Sequence, residues 1–321
     1  MIASVPLSTH QLAIGYPGPT DHVLLKDLNL SLHSGQLVCF MGPNGIGKST
    51  LIRTLSGAQP PLAGQVIGAG NKTIAVVLTD KVSAGNMTVR DLVSYGRYPY
   101  LDWSISMKQE DINKIDASAN QVRIGHLMDK PLYELSDGQL QMVMIARALA
   151  QDTPVLLLDE PTAHLDLNNR LEIMKLLRGL AKDTNKAILV STHELDLALQ
   201  TADLIWLATA QKSIRIGIPE DLVLDGTFDE VFQFKGFDLK TGKVQQEPYR
   251  KVGVQLNGEG HIYLWTKNAL ERNGYHLEKE SLIKIEVKTG EEYSWIVSIG
   301  RGPKQNFISI NDLLSFVLSN Q

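Results

Sequence analysis

The residues Gly42-Pro43-Asn44-Gly45-Ile46-Gly47-Lys48-Ser49-Thr50 carry the densest chemical information in the chain. They fit the spacing G-x-x-x-x-G-K-[ST] of a loop that wraps phosphate. Glycines let the backbone curl so that successive N–H groups converge on phosphate oxygens. A helix expected from Ser49 to Leu55, stopped by Gly57, adds the positive end of its dipole. Lys48 supplies a point charge for β- and γ-phosphates, and the Ser49 hydroxyl suits Mg2+. A chance glycine-rich turn would not need the apolar run Leu37-Val38-Cys39-Phe40-Met41 before it and a helix after it.

Three further segments offer matching chemistry. Val155-Leu156-Leu157-Leu158 ends in Asp159-Glu160. Asp159 is placed to hold Mg2+, directly or through water, and Glu160 to act as general base on an attacking water. Such a base contributes on the order of 10²–10⁴ in rate. Alone, two acids at a strand end read as a solvated terminus; beside a phosphate loop they read as a site. Ala187-Ile188-Leu189-Val190 leads into Ser191-Thr192-His193-Glu194. A lone histidine is more often structural, but His193 shares a sheet edge with Lys48 and Glu160, where it can hydrogen-bond a γ-phosphate. Leu135-Ser136-Asp137-Gly138-Gln139 precedes an amphipathic helix to Ala150. Ser136 is a candidate N-cap, and the free N–H groups of that helix suit an anion.

The elements that must position these residues are legible as patterns. The runs 37–41, 74–78, 155–158 and 187–190 are continuous rather than alternating, which predicts strands buried on both faces. The helix Asp137–Ala150 carries a stripe of Met142, Ile145, Ala146 and Leu149. Strands alternating with helices predict an α/β core with a mostly parallel sheet. In such sheets ligands bind beyond the carboxyl ends of the strands, where each polar cluster falls. Residues 86–135 read as a helical insertion, with helices at Thr88–Tyr95 and Lys108–Ile124. The last seventy-odd residues predict a separate small α/β unit of order ββαββα. Its elements are strands at 252–256 and Ile262–Trp265, a helix from Lys267 to Asn273, two alternating strands, and a helix opened by Ser309 and Asp312.

Composition bounds the function. At 321 residues, about two domains are expected. Lys and Arg number 31 against 35 Asp and Glu, a net charge of −4 that argues against gripping nucleic acid. No apolar run approaches the roughly 18 residues that span a bilayer. Met1 to His10 lacks a basic flank followed by an apolar core, so no signal peptide is expected. The single cysteine, Cys39, reads as a small buried hydrophobe in a reducing compartment.

Taken in order, the phosphate loop, Leu135 to Gln139, the strand ending Asp159-Glu160 and His193 resemble the ATP-binding subunit of an ABC transporter. The resemblance covers residues 8–240 and implies a P-loop NTPase core with an antiparallel β N-terminal part and a helical subdomain at about 86–150. Domains of 1–240 and 249–321 are expected. Two such ATPases would sandwich two ATP molecules head to tail, so Ser136, Gly138 and Gln139 would face the γ-phosphate held by a partner chain's Lys48. The resemblance makes Glu160 the catalytic base, His193 the switch histidine, Asp166 part of the loop linking the two sites, and Tyr16 the aromatic stacked on adenine. It implies ATP and Mg2+ as cofactors.

Two positions depart from the family. A glutamine is usual after the strand holding Val77-Leu78, where this chain has Thr79-Asp80. Asp80 retains an oxygen for Mg2+ but offers no amide donor. Asp137 replaces a glycine of the signature and is expected to point away from phosphate. Gly96-Arg97-Tyr98-Pro99-Tyr100 resembles the importer ATPases for iron–siderophores, haem and cobalamin. That implies a motor subunit at the cytoplasmic face of the membrane, with a polytopic permease and an extracytoplasmic solute-binding protein. The competing reading is a soluble ABC ATPase acting on ribosomes or DNA. The DNA-acting kind carries a long coiled coil, whereas about ninety residues without sustained heptads separate Gly42 from Leu135. The ribosomal kind usually joins two ATPase domains, whereas this chain has one phosphate loop.

Overall fold

A computed structural model describes residues 4–68, 70, 72–78, 86–102, 106–234, 237–239, 243–244, 248–288 and 293–320. The chain divides into two compact units, Met1–Gln233 and Phe234–Gln321.

The first unit opens with β1 (Leu7–Tyr16), β2 (His22–Leu28) and β3 (Ser31–Leu32). Then come β4 (Leu37–Met41), α1 (Lys48–Leu55), β5 (Ala63–Ile67) and β6 (Ile74–Val77). Three helices follow: α2 (Val89–Ser94), α3 (Gln109–Gln121) and α4 (Asp137–Ala150). The chain continues through β7 (Val155–Asp159), α5 (Leu167–Thr184), β8 (Ala187–Ser191) and α6 (Leu195–Thr201). It closes with β9 (Leu204–Ala208), β10 (Ile214–Gly217), α7 (Pro219–Leu224) and α8 (Thr227–Phe232).

β1 pairs antiparallel with β2, β3 and β5. A second sheet has the order β10-β9-β4-β8-β7-β6. Its pairs are parallel apart from β10 on β9. Every residue of β4, β7 and β8 is buried. This is the two-faced burial that their unbroken apolar runs require. Leu12, Ile14 and Leu25 of the antiparallel sheet, Leu51 and Leu55 of α1, and Phe40, Leu157 and Leu189 of the parallel sheet share one core. α1 is thereby held between the two sheets. Among the described residues, no helix is long and apolar enough to cross a membrane.

The helical insertion is tied to the core by Arg97. A 3-10 helix, Tyr95–Tyr100, continues α2. Arg97 is buried, donating from Nε to Asp111 Oδ1 of α3 at 2.9 Å and from Nη1 to the Ala150 carbonyl at 2.9 Å. Its guanidinium lies 4.1 Å from the centre of the Tyr100 ring, and the Tyr100 hydroxyl donates to the Gln151 carbonyl at 2.8 Å. A Cβ on Gly96 would fall 2.1 Å from the Arg147 carbonyl oxygen, so the backbone there packs directly on α4. Two residues at the C-terminal end of α4 then reach β6: Arg147 Nη2 donates to the Val76 carbonyl and Gln151 Nε2 to the Ile74 carbonyl. The Gly-Arg-Tyr-Pro-Tyr phrase is therefore a packed joint rather than a loop of exposed aromatics, although Tyr98 remains half exposed.

The second unit holds the short pair β11 (Phe237–Asp238) and β12 (Lys243–Val244). Next come β13 (Gly253–Asn257), α9 (Gly260–Arg272), β14 (His276–Leu277) and β15 (Ile283–Lys288). β16 (Ser294–Ile299), β17 (Gln305–Phe307) and α10 (Ile310–Ser319) complete it. The sheet order is β14-β13-β15-β16-β17. The strand expected at Ile262–Trp265 is instead part of α9. Ile262, Thr266, Ala269 and Leu270 recur at helical spacing and are buried, whereas Trp265 is exposed. The Trp295 indole donates to Thr266 Oγ1, whose hydroxyl donates to the Ile262 carbonyl, so these two buried polar side chains satisfy each other and the helix backbone.

Asp111→Ala leaves the Arg97 guanidinium buried without its carboxylate. Removing one partner of a buried pair costs about 3–5 kcal/mol. The expected result is a marked fall in the urea midpoint of the first unit, followed by circular dichroism. An unchanged midpoint would remove Arg97–Asp111 as the anchor of the insertion.

Candidate functional site

The phosphate loop leaves the C-terminal end of β4 and enters α1. Gly42 has φ 154° and Gly47, at the N-cap of α1, has φ 109°, both in the region that glycine favours. Space for a side chain is also tight. A Cβ on Gly42 would lie 3.0 Å from Ala208 Cβ, and one on Gly47 would lie 3.2 Å from Leu24. The first turn of α1 contains no acidic residue, so nothing there opposes the dipole's attraction for an anion. Pro43, Asn44, Gly45 and Ile46 form the rim, with Asn44 and Gly45 exposed. Lys48 is buried, and its Nζ donates to the carbonyls of Gly42 at 3.1 Å and Pro43 at 3.4 Å. Burial holds its ammonium below the usual lysine range, and the carboxylates of Glu160 and Asp159 offset part of that shift. Both carboxylates lie close enough to act on the Lys48 charge. Ser49 is exposed in the first turn of α1, and Thr50 is buried.

Parallel register brings the other groups to the same edge. Phe40 pairs with Ser191, and Ser191 pairs with Asp159. Asp159 is buried and accepts a hydrogen bond from the Ser191 hydroxyl. Glu160 has left-handed backbone, φ 46°, and its N–H donates to both the Ser191 carbonyl at 3.0 Å and Ser191 Oγ at 3.1 Å. Its Oε2 lies 3.4 Å from His193 Nδ1. His193 Nε2 lies 3.6 Å from Glu194 Oε1, which also accepts from Arg170 Nη1 at 2.6 Å. Tyr16, at the end of β1, is 53% exposed, and its hydroxyl meets Thr50 Oγ1 at 3.3 Å, so its ring stands beside α1.

Ser136 caps α4, accepting from Gln139 N–H at 3.2 Å while Gln139 Oε1 accepts from Ser136 N–H at 3.1 Å. Asp137 is exposed. Gly138 is buried against α5, where a Cβ would meet Asn169 Cγ at 2.8 Å. Asn169 donates from its backbone N–H and from Nδ2 to the Asp166 carboxylate, both at 2.9 Å, so Asp166 caps α5 within its own chain. The structure thus joins Lys48, Asp159, Glu160 and His193 at one sheet edge, with Tyr16 beside α1. Ser136, Gly138, Gln139 and Asp166 form a second cluster at the N-termini of α4 and α5. Asp80 lies outside the described residues. Sequence reasoning missed Ser191, Arg170, Asn169 and Glu194. Ser191 left one trace, a hydroxyl ending an otherwise apolar run.

Known proteins resemble this chain in sequence and in fold. The family described as ABC transporter matches residues 25–163, and the Iron ABC transporter C-terminal domain matches residues 250–318. An uncharacterized ABC transporter ATP-binding protein of Methanocaldococcus jannaschii is 38% identical over 78% of this chain and 92% of its own length. The iron(3+)-hydroxamate import ATP-binding protein FhuC of Bacillus subtilis is 35% identical over 71% of this chain and 87% of its own. A solved chain of an ABC transporter assigned to the metal-chelate type, in an inward-facing conformation, superposes with TM-score 0.65 at 27% identity. It covers 72% of this chain and 90% of that one.

Lys48→Ala removes the only ammonium of the loop. Hydrogen bonds to charged groups contribute about 1.5–3 kcal/mol, so affinity for a nucleoside triphosphate is expected to fall roughly 10- to 100-fold. Titration with a fluorescent triphosphate analogue checks this, and unchanged affinity would take Lys48 out of the phosphate site.

Proposed function

This chain belongs to the ATP-binding proteins of ABC transporters, and on that premise we propose that it is the ATP-hydrolysing motor subunit of a membrane importer. Its solute is an iron chelate of siderophore or haem type, or a cobalamin-like molecule. The observation that carries the catalytic reading is the sheet edge where Glu160 stands 3.4 Å from His193 beside the buried Lys48. The solute class is supported by the match of residues 250–318 to an iron-transporter domain and by relatives such as FhuC and the cobalamin import ATP-binding protein BtuD of Halobacterium salinarum.

The loop N–H groups and Lys48 bind the β- and γ-phosphates, with Lys48 exchanging its carbonyl partners for phosphate oxygens. Tyr16 offers its exposed ring to adenine. Glu160 accepts a proton as water attacks the γ-phosphorus and the bond to the β-phosphate oxygen breaks, leaving ADP and inorganic phosphate. His193 hydrogen-bonds the γ-phosphate and is oriented by Glu160 and Glu194. Ser49 and Asp159 are hard oxygen donors of the kind Mg2+ takes together with substrate phosphates, and they fit that ion. When bound, Mg2+ neutralises charge that develops on the phosphates. Asp80 is the third oxygen donor of this proposed set and its second carboxylate.

Two chains close head to tail on two ATP molecules. Ser136, Gly138 and Gln139 of each chain then meet the phosphate held by the other, and Asp166 lies at the junction. Closure driven by ATP and reopening after hydrolysis move a polytopic permease, which places the chain peripherally at the cytoplasmic face of the membrane. An extracytoplasmic solute-binding protein delivers the solute.

Glu160→Gln is expected to lower ATP hydrolysis by at least about 10²-fold while ATP still binds and promotes dimers, measured by phosphate release and light scattering. Hydrolysis near the wild-type rate would refute Glu160 as the base. Tagged Glu160→Gln protein with Mg-ATP should capture a polytopic permease from detergent-solubilised membranes, identified by mass spectrometry. Ribosomal or DNA-repair partners without a permease would overturn the transport reading.

A further inference from the structure

β8 runs Ala187-Ile188-Leu189-Val190 and then ends in Ser191, the one hydroxyl of that strand. Ser191 is completely buried, so its Oγ meets protein rather than solvent. Both described hydrogen bonds of that oxygen go to the two acids of the site. The hydroxyl donates to Asp159 Oδ1, and the same oxygen accepts from Glu160 N–H at 3.1 Å. The polarity is fixed by chemistry. An ionised carboxylate only accepts, so the single hydroxyl proton must go to Asp159, which leaves the lone pairs for the Glu160 amide. The Ser191 carbonyl takes the same amide at 3.0 Å, so Glu160 N–H is shared between two atoms of one residue. Glu160 needs such a hold. Its φ of 46° is one that a non-glycine residue keeps only when its surroundings enforce it. That backbone bend is what delivers Oε2 to within 3.4 Å of His193 Nδ1.

We infer that Ser191 is a positioning residue that sets, through one buried hydroxyl, both the carboxylate of Asp159 and the backbone of Glu160. The inference rests on the ATPase reading above, in which Asp159 serves the metal and Glu160 the water. One oxygen therefore keeps the metal-holding acid and the proton-accepting acid in fixed relation. Outer partners that orient a metal ligand typically change metal affinity or activity by 10- to 100-fold when removed.

The test is Ser191→Ala in the full chain, with Ser191→Thr as the variant that keeps a hydroxyl. Mn2+ stands in for Mg2+, and free Mn2+ is read by electron paramagnetic resonance in the presence of ATP. The expected result for Ser191→Ala is a 10- to 100-fold weaker Mn2+ affinity and a similar fall in kcat. ATP affinity in EDTA should be unchanged, and Ser191→Thr should recover most of both losses. Equal Mn2+ affinity and kcat in Ser191→Ala and wild type would overturn the inference. So would a parallel loss of ATP binding in EDTA, which marks a merely structural role, or a Ser191→Thr variant as impaired as Ser191→Ala. If wild type itself bound ATP without hydrolysing it, the ATPase reading would fail first and this inference with it. If wild type hydrolysed ATP and Ser191→Ala matched it, this inference alone would fail.

Discussion

Neighbouring parallel strands that pair in register deliver their C-terminal residues to one line, and the site depends on that constraint. Ser191 is opposite Phe40 on one side and Asp159 on the other. The phosphate loop begins two residues after Phe40, Glu160 follows Asp159 directly, and His193 stands two residues beyond Ser191. Segments more than a hundred residues apart in sequence therefore reach one edge without any long-range search by side chains. β4, β7 and β8 are buried along their whole length, so this line of residues lies at the end of a packed core. A slip of one residue would carry the acids away from the loop and turn each strand's faces over.

Burial then sets the electrostatics. Lys48 is buried where its charge is disfavoured, and the two acids oppose that effect without fully reversing it. Its ammonium donates to loop carbonyls, which are weaker partners than phosphate oxygens. Farther away, the buried Arg97 fastens the helical insertion to α4, and α4 fastens it to β6. Motion at the N-terminus of α4, where Ser136 and Gln139 lie, is therefore mechanically joined to the parallel sheet.

Much of this was legible in the sequence because local rules coincide there. A glycine-rich loop between an apolar run and a helix has few other physical readings, and beside it two acids after four apolar residues become a site. The N-cap roles of Ser136 and Ser309 followed from the same local chemistry. What stayed hidden depends on pairing across the fold. Arg170 meets Glu194 from another helix, and Asn169 packs on Gly138 of α4. Neither contact has a signature in spacing. The partners of Arg97, namely Asp111, the Ala150 carbonyl and the Tyr100 ring, likewise leave no sign in the sequence. Ile262–Trp265 misled because four apolar or aromatic residues suit a strand and a helix equally. The helical recurrence through Thr266 and Leu270 decides between them.

Cys39 lies fully buried in β4, and burial together with the Asp203 carboxylate pushes its thiol up to about 12. At neutral pH almost none of it is the reactive thiolate. The native chain is therefore already silent toward maleimides and methanethiosulfonates. A cysteine introduced on the surface becomes the single point of attachment for a dye or spin label, with no native thiol to remove first. Distances between two such labels, one on each chain, can then follow assembly and separation in solution without disturbing the strand that carries the phosphate loop.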